Sequence, residues 1–109
     1  MPYDERVRAR INTVLADWPG VIEKKMFGGV CSLLKGNMVC AVYKEFLILR
    51  LGPEAAAEAL THPHCRPFDI TGRAMKGWVM VAPAGFAEAD LLIGWLEKAR
   101  AFVNTLPPK

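Results

Sequence analysis

The chain has 109 residues, the size of one ordinary domain, and its hydrophobic content of 52% is enough for a packed core. Its net charge of +3 permits contact with nucleic acid but does not demand it, because dedicated nucleic-acid binders usually concentrate more charge. No apolar run approaches the ~20 residues that a membrane helix needs, and the acidic N-terminus differs from a signal peptide. The sequence therefore predicts one domain, residues 1–109, in a soluble cytoplasmic protein.

The first predicted element is a helix from Tyr3 to Trp18, which the pair Pro19-Gly20 ends. Its apolar residues recur at helical spacing and form one buried stripe: Val7, Ile11, Val14, Leu15 and Trp18. Arg6 and Arg10 lie one turn apart on the outer side of this helix. These arginines either keep the protein soluble or contact an anionic partner, and solubility is the favoured interpretation.

Val21–Phe27 is predicted to be an edge strand. Lys24 falls between Ile22 and Met26 on one face, and an inward-leaning lysine is typical of an edge strand protected against stray pairing. The pair Gly28-Gly29 then turns the chain or bulges it. This pair is not a phosphate loop, because no Gly-x-Gly-x-x-Gly pattern and no following helix accompany it.

Two apolar strands follow, Val30–Leu34 and Met38–Tyr43, joined by the tight turn Lys35-Gly36-Asn37. A further strand spans Glu45–Leu51 and completes an antiparallel meander. All three strands are apolar on both faces, whereas a half-exposed antiparallel sheet alternates apolar and polar residues. Helices can cover one face. We expect a partner subunit to cover the second face, which makes the protein a homodimer.

The position of the tight turn fixes the strand register and the relation between two cysteines. With Gly36-Asn37 as the two-residue loop, Leu33 opposes Cys40 and Cys31 opposes Val42. Cys31 and Cys40 are then diagonal neighbours at about 7–8 Å, too far apart for easy bridging. The odd number of cysteines and the lack of a Cys-x-x-Cys pair also predict reduced thiols and no metal site.

A short alanine-rich helix, Glu54–Leu60, begins after Pro53. The loop behind it contains three residues of metal-ligand type, His62, His64 and Cys65. Their spacing matches no standard site, so a loop with incidental histidines is favoured. The same histidines are the only candidate bases for a catalytic thiol, and neighbouring side chains in an extended loop diverge. We therefore expect no enzymatic activity and no cofactor.

A loop framed by Gly72 and Gly77 precedes the next strand, and these glycines allow backbone angles that other residues resist. Arg73 and Lys76 stand on this loop, and we expect Trp78 to anchor its far end in the core. Two cations fixed in this way indicate recognition of a partner. Alternatively, the glycines only permit a turn and the cations are solvated.

The last predicted elements are a strand, Trp78–Val81, and a long helix. The helix carries a broad apolar stripe: Leu91, Leu92, Trp95, Leu96, Ala99, Phe102, Val103 and Leu106. The order of elements predicts an α+β fold. It is a two-layer sandwich with an antiparallel sheet in the order α-β(3)-α-β(2)-α, with room for one extra edge strand.

Several strings of this sequence resemble the N-terminal domain of TfoX/Sxy proteins, in the order in which the family has them, from about Tyr3 to Lys109. The two most specific strings are Met26-Phe27-Gly28-Gly29 and Thr71-Gly72-Arg73-Ala74-Met75-Lys76-Gly77-Trp78. The others are Gly36-Asn37-Met38, Arg50-Leu51-Gly52-Pro53 and Leu106-Pro107-Pro108-Lys109.

This resemblance implies a domain with the order helix, three strands, helix, two strands, helix. It also implies a non-enzymatic role in bacteria, as a regulator or coactivator of genes for natural competence and DNA uptake. Such a regulator acts through a transcription factor of the catabolite-activator type. Better-known regulators of the family carry a second, C-terminal domain. What carries over to this sequence is the first domain and its regulatory or interaction role.

Two hypotheses for function follow. The first is a transcription-associated module that binds a protein partner, or DNA, through these residues: Arg73, Lys76, Arg50, Met26, Phe27, Gly28 and Gly29. In it, Gly72, Gly77 and Trp78 shape the loop. The second hypothesis is a small homodimeric assembly domain with no direct role in transcription. Basic residues clustered on one surface favour the first hypothesis, whereas dispersed basic residues and a large dry dimer interface favour the second.

Overall fold

The computed structural model describes residues 3–26, 28–69, 72 and 75–108. The helices are α1 (Glu5–Leu15), α2 (Pro53–Ala59) and α3 (Ala89–Val103), and Pro83–Phe86 forms a 3-10 helix before α3. The strands are β1 (Val21–Met26), β2 (Gly29–Leu34), β3 (Asn37–Tyr43), β4 (Phe46–Arg50), β5 (Cys65–Pro67) and β6 (Trp78–Val81). In the described part of the chain, none of the helices is long and apolar enough to cross a membrane.

The strands form one antiparallel sheet of six strands in the order β1-β2-β3-β4-β6-β5. The predicted α+β fold, with its sequence of helix, strands, helix, strands and helix, is confirmed. The extra edge strand is β1, which pairs only with β2 among the described strands. The predicted edge position of β1 is confirmed, but Lys24 is exposed in the middle of this strand and does not lean inward.

The main core lies between the three helices and one face of the sheet. The helices contribute Val7, Ile11 and Leu15 of α1, Ala56 and Ala59 of α2, and Leu92, Trp95, Leu96, Ala99 and Val103 of α3. The strands contribute Val30, Leu34, Val39, Cys40, Val42, Leu47, Leu49, Val79 and Val81. Leu91 is 46% exposed, so its predicted place in the stripe of α3 is wrong. It lies one position before Leu92 and points away from the sheet.

The N-terminal helix starts later than predicted, because Tyr3 bridges to Lys44 at the sheet and Asp4 caps the helix. The side chain of Asp4 accepts a hydrogen bond of 2.8 Å from the backbone N–H of Arg6. Arg10 has a structural role. Its guanidinium donates to the carbonyls of Phe86 and Ala87, at 2.7 and 3.1 Å, and lies over the Phe86 ring.

Arg8 ties α1 to the edge strand. It forms salt bridges with Glu5 and Glu23, and Glu23 also accepts a hydrogen bond of 3.1 Å from the Asn12 amide. The hydrogen bonds from Arg8 hold the pKa of the Glu23 carboxyl below its ordinary value. Because this pKa is lowered on folding, the stabilisation from the ion pair is present at neutral pH and is lost on acidification.

The β2–β3 hairpin differs from the predicted register. The two-residue loop is Lys35-Gly36, in which both residues have a positive φ, as in a type I′ turn. Asn37 is instead buried in β3, where its side-chain amide donates to the carbonyl of Pro107 at 3.0 Å. A bulge between Ser32 and Leu33 then shifts the pairing once more.

The predicted pairings of Leu33 with Cys40 and of Cys31 with Val42 are therefore wrong. Cys31 opposes Ala41, and Cys40 opposes Ser32. Cys40 belongs to the core beneath the helices, whereas Cys31 belongs to the cluster on the other side of the sheet. Both thiols are buried and unpaired, and their positions on opposite faces prevent a disulfide between them.

The face of the sheet opposite the helices, called the outer face below, has a small core of its own. Its buried residues are Cys31, Ala41, Ile48, Phe68 and Met80, with Met38, Tyr43, Phe46 and Trp78 packed around them. Phe68 comes from the loop after β5 and is 3% exposed. The centre of this face is thus buried within a single chain. Homodimerisation stays a prediction, but it no longer follows from uncovered strand residues.

Two glycines test this packing. A Cβ added at Gly29 would lie 2.2 Å from the carbonyl oxygen of Val42, whereas a Cβ at Gly94, in α3, would meet nothing within 4 Å. We expect Gly29→Ala to lower the free energy of unfolding by ~1–3 kcal/mol through overpacking. Gly94→Ala should raise it by ~0.5–1 kcal/mol, because alanine has the higher helix propensity. Urea denaturation of both variants measures the difference, and equal effects would contradict the strand packing.

Candidate functional site

The outer face presents its side chains in rows that run across the strands. The middle row consists of cross-strand partners: Lys24, Cys31, Ala41, Ile48, Met80 and Arg66. The inner four residues of this row are buried, while Lys24 on β1 and Arg66 on β5 are exposed at its two ends. The two cations are separated by five strand spacings, about 24 Å.

The rows on either side carry larger side chains. Met26, Tyr43 and Phe46 lie at the end of the sheet where the β1–β2 and β3–β4 hairpins turn. At the opposite end, Ile22, Leu33 and Met38 lie on β1, β2 and β3, and Arg50 and Trp78 pair across β4 and β6. Ile22 is 62% exposed and Met26 38%. The outer face is therefore apolar, with aromatic rings at both ends.

Each partly exposed ring of the outer face lies beside a cation. The Lys44 Nζ is 5.5 Å from the centroid of Tyr43, and the Arg66 guanidinium carbon is 5.5 Å from that of Phe46. The Arg50 guanidinium carbon is 5.4 Å from the centroid of Trp78. Cation–π pairs also occur beneath and beside the helices, but there the rings of Phe86, Trp95 and Trp18 are buried.

The charges of the chain are divided between its two layers. The three helices and their flanking residues (4–17, 53–59 and 88–103) contain five cations and eight acids, a net charge of −3. The rest of the chain contains nine cations and three acids, a net charge of +6. The modest overall charge of +3 therefore conceals an acidic helix layer and a basic sheet layer, whose six strands carry four cations and one acid. Arg73 and Lys109, which the sum of +6 includes, lie outside the described residues.

Three of the ion pairs between described residues lie within the helix layer, and a fourth joins α1 to β1. In the part of the chain that the structure describes, salt bridges join residues of α1, β1 and α3: Arg6–Asp4, Arg8–Glu5, Arg8–Glu23 and Arg100–Glu97. Lys24, Arg50, Arg66 and Lys76 form no salt bridge with another described residue. The basic charge of the outer face is therefore not neutralised by described acids.

The glycine-framed loop is held by backbone hydrogen bonds. The N–H groups of Leu51 and Gly52 donate to the carbonyl of Gly77, at 2.9 and 3.1 Å, and Gly77 has a φ of 90°. The N–H of Met75 donates to the carbonyl of Phe68 at 3.0 Å, so the loop returns beside its own start. Lys76 is exposed on this loop. Arg73 lies outside the described residues.

Trp78 packs against the small core of the outer face and not in the main core beneath the helices, and it is only partly buried. The indole is half-buried on the outer face, where it contacts Phe68 at a ring-centroid distance of 5.7 Å and carries the Arg50 guanidinium. The alternation of β6 explains the position, because Val79 and Val81 take the helix side and leave Trp78 and Met80 on the other side.

The two specific sequence strings lie at opposite ends of the sheet. Met26 and Gly29 pair where β1 turns into β2, beside Tyr43, whereas Arg50 and Trp78 lie at the far end of β4 and β6. The four-residue step along β4 alone separates the two ends by ~13 Å. Gly28 has a φ of 78° in the turn, Gly29 is needed for its close approach to β3, and Phe27 lies outside the described residues. The structure thus does not unite these residues into one site.

A family model described as the TfoX N-terminal domain matches residues 13–103. The chain belongs to this family. The match runs from the last turn of α1 to the end of α3 and so includes the whole sheet. Met26-Phe27-Gly28-Gly29 and the glycine-framed loop lie within it, and Leu106-Pro107-Pro108-Lys109 lies beyond it.

Among solved structures, the crystal structure of Deinococcus radiodurans protein DR2400, with the family domain DUF419, has a similar fold. The TM-score is 0.66 at 22% sequence identity, and the similarity covers 85% of this chain and 75% of that chain. At this identity the similarity shows the fold alone. No curated protein sequence is significantly similar to the chain.

Two outer-face rings of this TfoX N-terminal domain, Tyr43 and Phe46, were not among the site residues predicted from sequence. Tyr43 and Phe46 flank a two-residue turn, Lys44-Glu45, so they oppose each other and share a face. This spacing is visible in the sequence, but the choice of face depends on the register that the bulge sets. Arg66 was missed because β5 is only three residues long.

His62 lies in a different place, at a cleft of about 760 Å³ between α2 and α3. Its walls include Ala55, Ala59, His62, Trp95 and Phe102, and the small side chains of α2 leave the space open. The His62 ring meets the Trp95 ring edge-on at a centroid distance of 5.8 Å. Among the described residues, no group of three His, Cys, Asp or Glu side chains is arranged to hold a metal ion.

The positions of two tryptophans predict different costs of truncation. Trp95 is 8% exposed and its indole N–H donates to the Gly85 carbonyl at 3.0 Å, so Trp95→Ala should cost ~3–5 kcal/mol of stability. Trp78→Ala should cost less, about 2 kcal/mol, because part of this ring is exposed to water in the folded chain. Chemical denaturation of both variants checks this order. A larger cost for Trp78→Ala would place its indole in the main core.

Proposed function

We propose that this TfoX N-terminal domain is a non-enzymatic interaction domain in transcription regulation, and that it recruits its partner with the outer face of the sheet. The observation that carries the proposal is the division of charge. The cations of the sheet layer lack described acidic partners, while the helix layer is net acidic. A basic, partly apolar face of this kind fits an acidic partner surface or nucleic acid.

Family membership supports the regulatory part of the proposal. The resemblance to TfoX/Sxy regulators suggests that the chain acts in the cytoplasm on genes for competence and DNA uptake. Its protein partner is then a transcription factor of the catabolite-activator type, and DNA is the second contact. The cations for the protein contact come from the C-terminal end of β4 and from the glycine-framed loop. They are Arg50, Lys76 and Arg73, which shares the string Thr71–Trp78 with Lys76.

The cysteines support a non-enzymatic role. Burial raises the pKa of Cys31 to about 11 and that of Cys40 to about 12, and it also raises the pKa of Cys65. All three side chains are therefore thiols rather than nucleophilic thiolates at neutral pH. His62 packs on Trp95 and accepts a backbone hydrogen bond from His64 at 3.3 Å, which is a structural use of its ring.

The alternative, a homodimeric assembly domain, has less support. The sequence suggested a dimer because a second sheet face needed a cover, but the centre of that face is already buried within one chain. The exposed edge strand β1 carries Glu23, Lys24 and Lys25 in succession, and such charges discourage pairing with the edge of another copy.

Removing two loop cations tests the proposal. We expect Arg73→Ala with Lys76→Ala to weaken binding to a purified catabolite-activator-type factor at least about tenfold, measured by biolayer interferometry with and without the DNA site of the factor. Charge-assisted hydrogen bonds from such residues are worth ~1.5–3 kcal/mol each. Thermal stability should barely change, since exposed substitutions typically stay within about ±0.5 kcal/mol each.

The matched control removes one arginine and one lysine from the helix layer, Arg6→Ala with Lys98→Ala, and should bind within about twofold of the parent chain. An equal loss in both double variants would contradict the outer face as the docking surface. A parent chain that does not bind the factor and sediments as a stable dimer would favour the assembly alternative instead.

A further inference from the structure

We propose that the outer face binds single-stranded nucleic acid, with bases stacked on Tyr43 and Phe46 and phosphates held by the cations around these rings. Trp78 with Arg50 forms a second stacking position at the far end of the sheet. The inference rests on the proposed function in one respect, which is that the outer face is the recognition surface of the domain.

The two rings supply a platform for bases. Tyr43 and Phe46 are direct cross-strand partners on β3 and β4, they lie on the same face, and both are partly exposed. Partly exposed aromatic side chains on the face of an antiparallel sheet offer flat surfaces to unstacked bases, and this stacking tolerates any base sequence. The Lys44 ammonium and the Arg66 guanidinium lie over these rings, so a stacking base displaces the cation, which stays within reach of the phosphates that connect stacked bases.

Other cations on the outer face lie where the phosphates of a longer strand could contact them. Lys24 and Arg66 end the middle row at its two edges, and Arg50 lies at the opposite end of β4 from Phe46. The second ring, Trp78, is four residues away from Phe46 along β4 in register, or ~13 Å. This is the span of a few nucleotides rather than of a single phosphate. Arginine also stacks on bases through its planar guanidinium, so the Arg–ring pairs serve both parts of the ligand.

The combination of rings and cations favours a single strand over other polyanions. A duplex keeps its base faces stacked inside and would use only the cations. An acidic peptide would pair with the cations but would leave the rings without a specific partner. The helix layer, with its net charge of −3, repels either kind of nucleic acid and so directs it to the outer face.

The test uses the intact 109-residue chain and a fluorescently labelled twelve-nucleotide oligothymidylate, with binding followed by fluorescence anisotropy at low salt. The parent chain should bind it, and more tightly than a duplex of the same length. Tyr43→Leu with Phe46→Leu keeps the outer face apolar but removes the rings, and should weaken binding at least about tenfold. Arg66→Gln with Lys24→Gln should lower the salt dependence, by about 0.7 in the log–log slope for each phosphate that the variant no longer neutralises.

Matched controls lie on the acidic layer. Arg6→Gln with Lys98→Gln removes the same number of charges and should leave the affinity and the salt slope within error. Circular dichroism confirms that each variant is folded. If the double leucine variant does not fold, the Arg66→Gln variant and the comparison between single strand and duplex still decide the outcome.

Three results would overturn the inference: no binding of the oligothymidylate at low salt, equal affinity for the duplex, or an unchanged affinity in the folded double leucine variant. The last two would mean simple attraction between charges. Failure here is distinguishable from failure of the proposed function. If the oligothymidylate does not bind while the Arg73 and Lys76 variant still loses the transcription factor, the face binds protein alone. If the oligothymidylate binds but the factor does not, the partnership with the factor fails instead.

Discussion

All described α-helices of this domain pack on one face of the sheet, and this one-sided cover decides the role of almost every strand residue. Because side chains alternate along a strand, Val42, Leu47, Leu49 and their cross-strand neighbours pack against the helices. The residues between them in sequence lie on the outer face. An outer face that is apolar at its centre needs protection from water. Here small residues, Cys31 and Ala41, lie beneath larger neighbours, and Phe68 reaches back from the loop after β5.

The remaining surface of the outer face combines rings and positive charge. Its rings are partly exposed and each is accompanied by a cation, whereas the corresponding rings on the helix side are buried. The two layers also carry opposite net charges. A fold with one acidic, packed side and one basic, aromatic side has a preferred orientation toward a negatively charged partner, even though its overall charge is small.

The order of helices and strands could be predicted from the sequence, because the signals that specify each element are local. Helical spacing in α1 and α3, Pro53 at the start of α2, and Lys24 within the edge strand are each a property of a few neighbouring residues. The register of the β2–β3 hairpin was not predictable in this way. It depends on which pair of residues adopts a positive φ and on a bulge that no residue type demands.

The site residues predicted from sequence stay a prediction. The cations of the glycine-framed loop and Arg50 came from sequence strings, and the structure places Lys76 exposed on this loop and Arg50 over the Trp78 ring. The position of Trp78 and the separation of the two strings came only from the sheet, since contacts between distant segments are set by strand order. Tyr43, Phe46 and Arg66 form a surface because β4 lies between β3 and β6, and that order is a global property of the fold.

The most direct test of this account is a titration of the ¹⁵N-labelled chain with oligothymidylate, followed by the backbone amide shifts. If the outer face binds the strand, the largest shifts fall on β3, β4 and β6, around Tyr43, Phe46 and Arg50, while α1 and the cleft between α2 and α3 remain unperturbed. Shifts concentrated at His62, Trp95 and Phe102 would move the working surface to that cleft and would contradict the account.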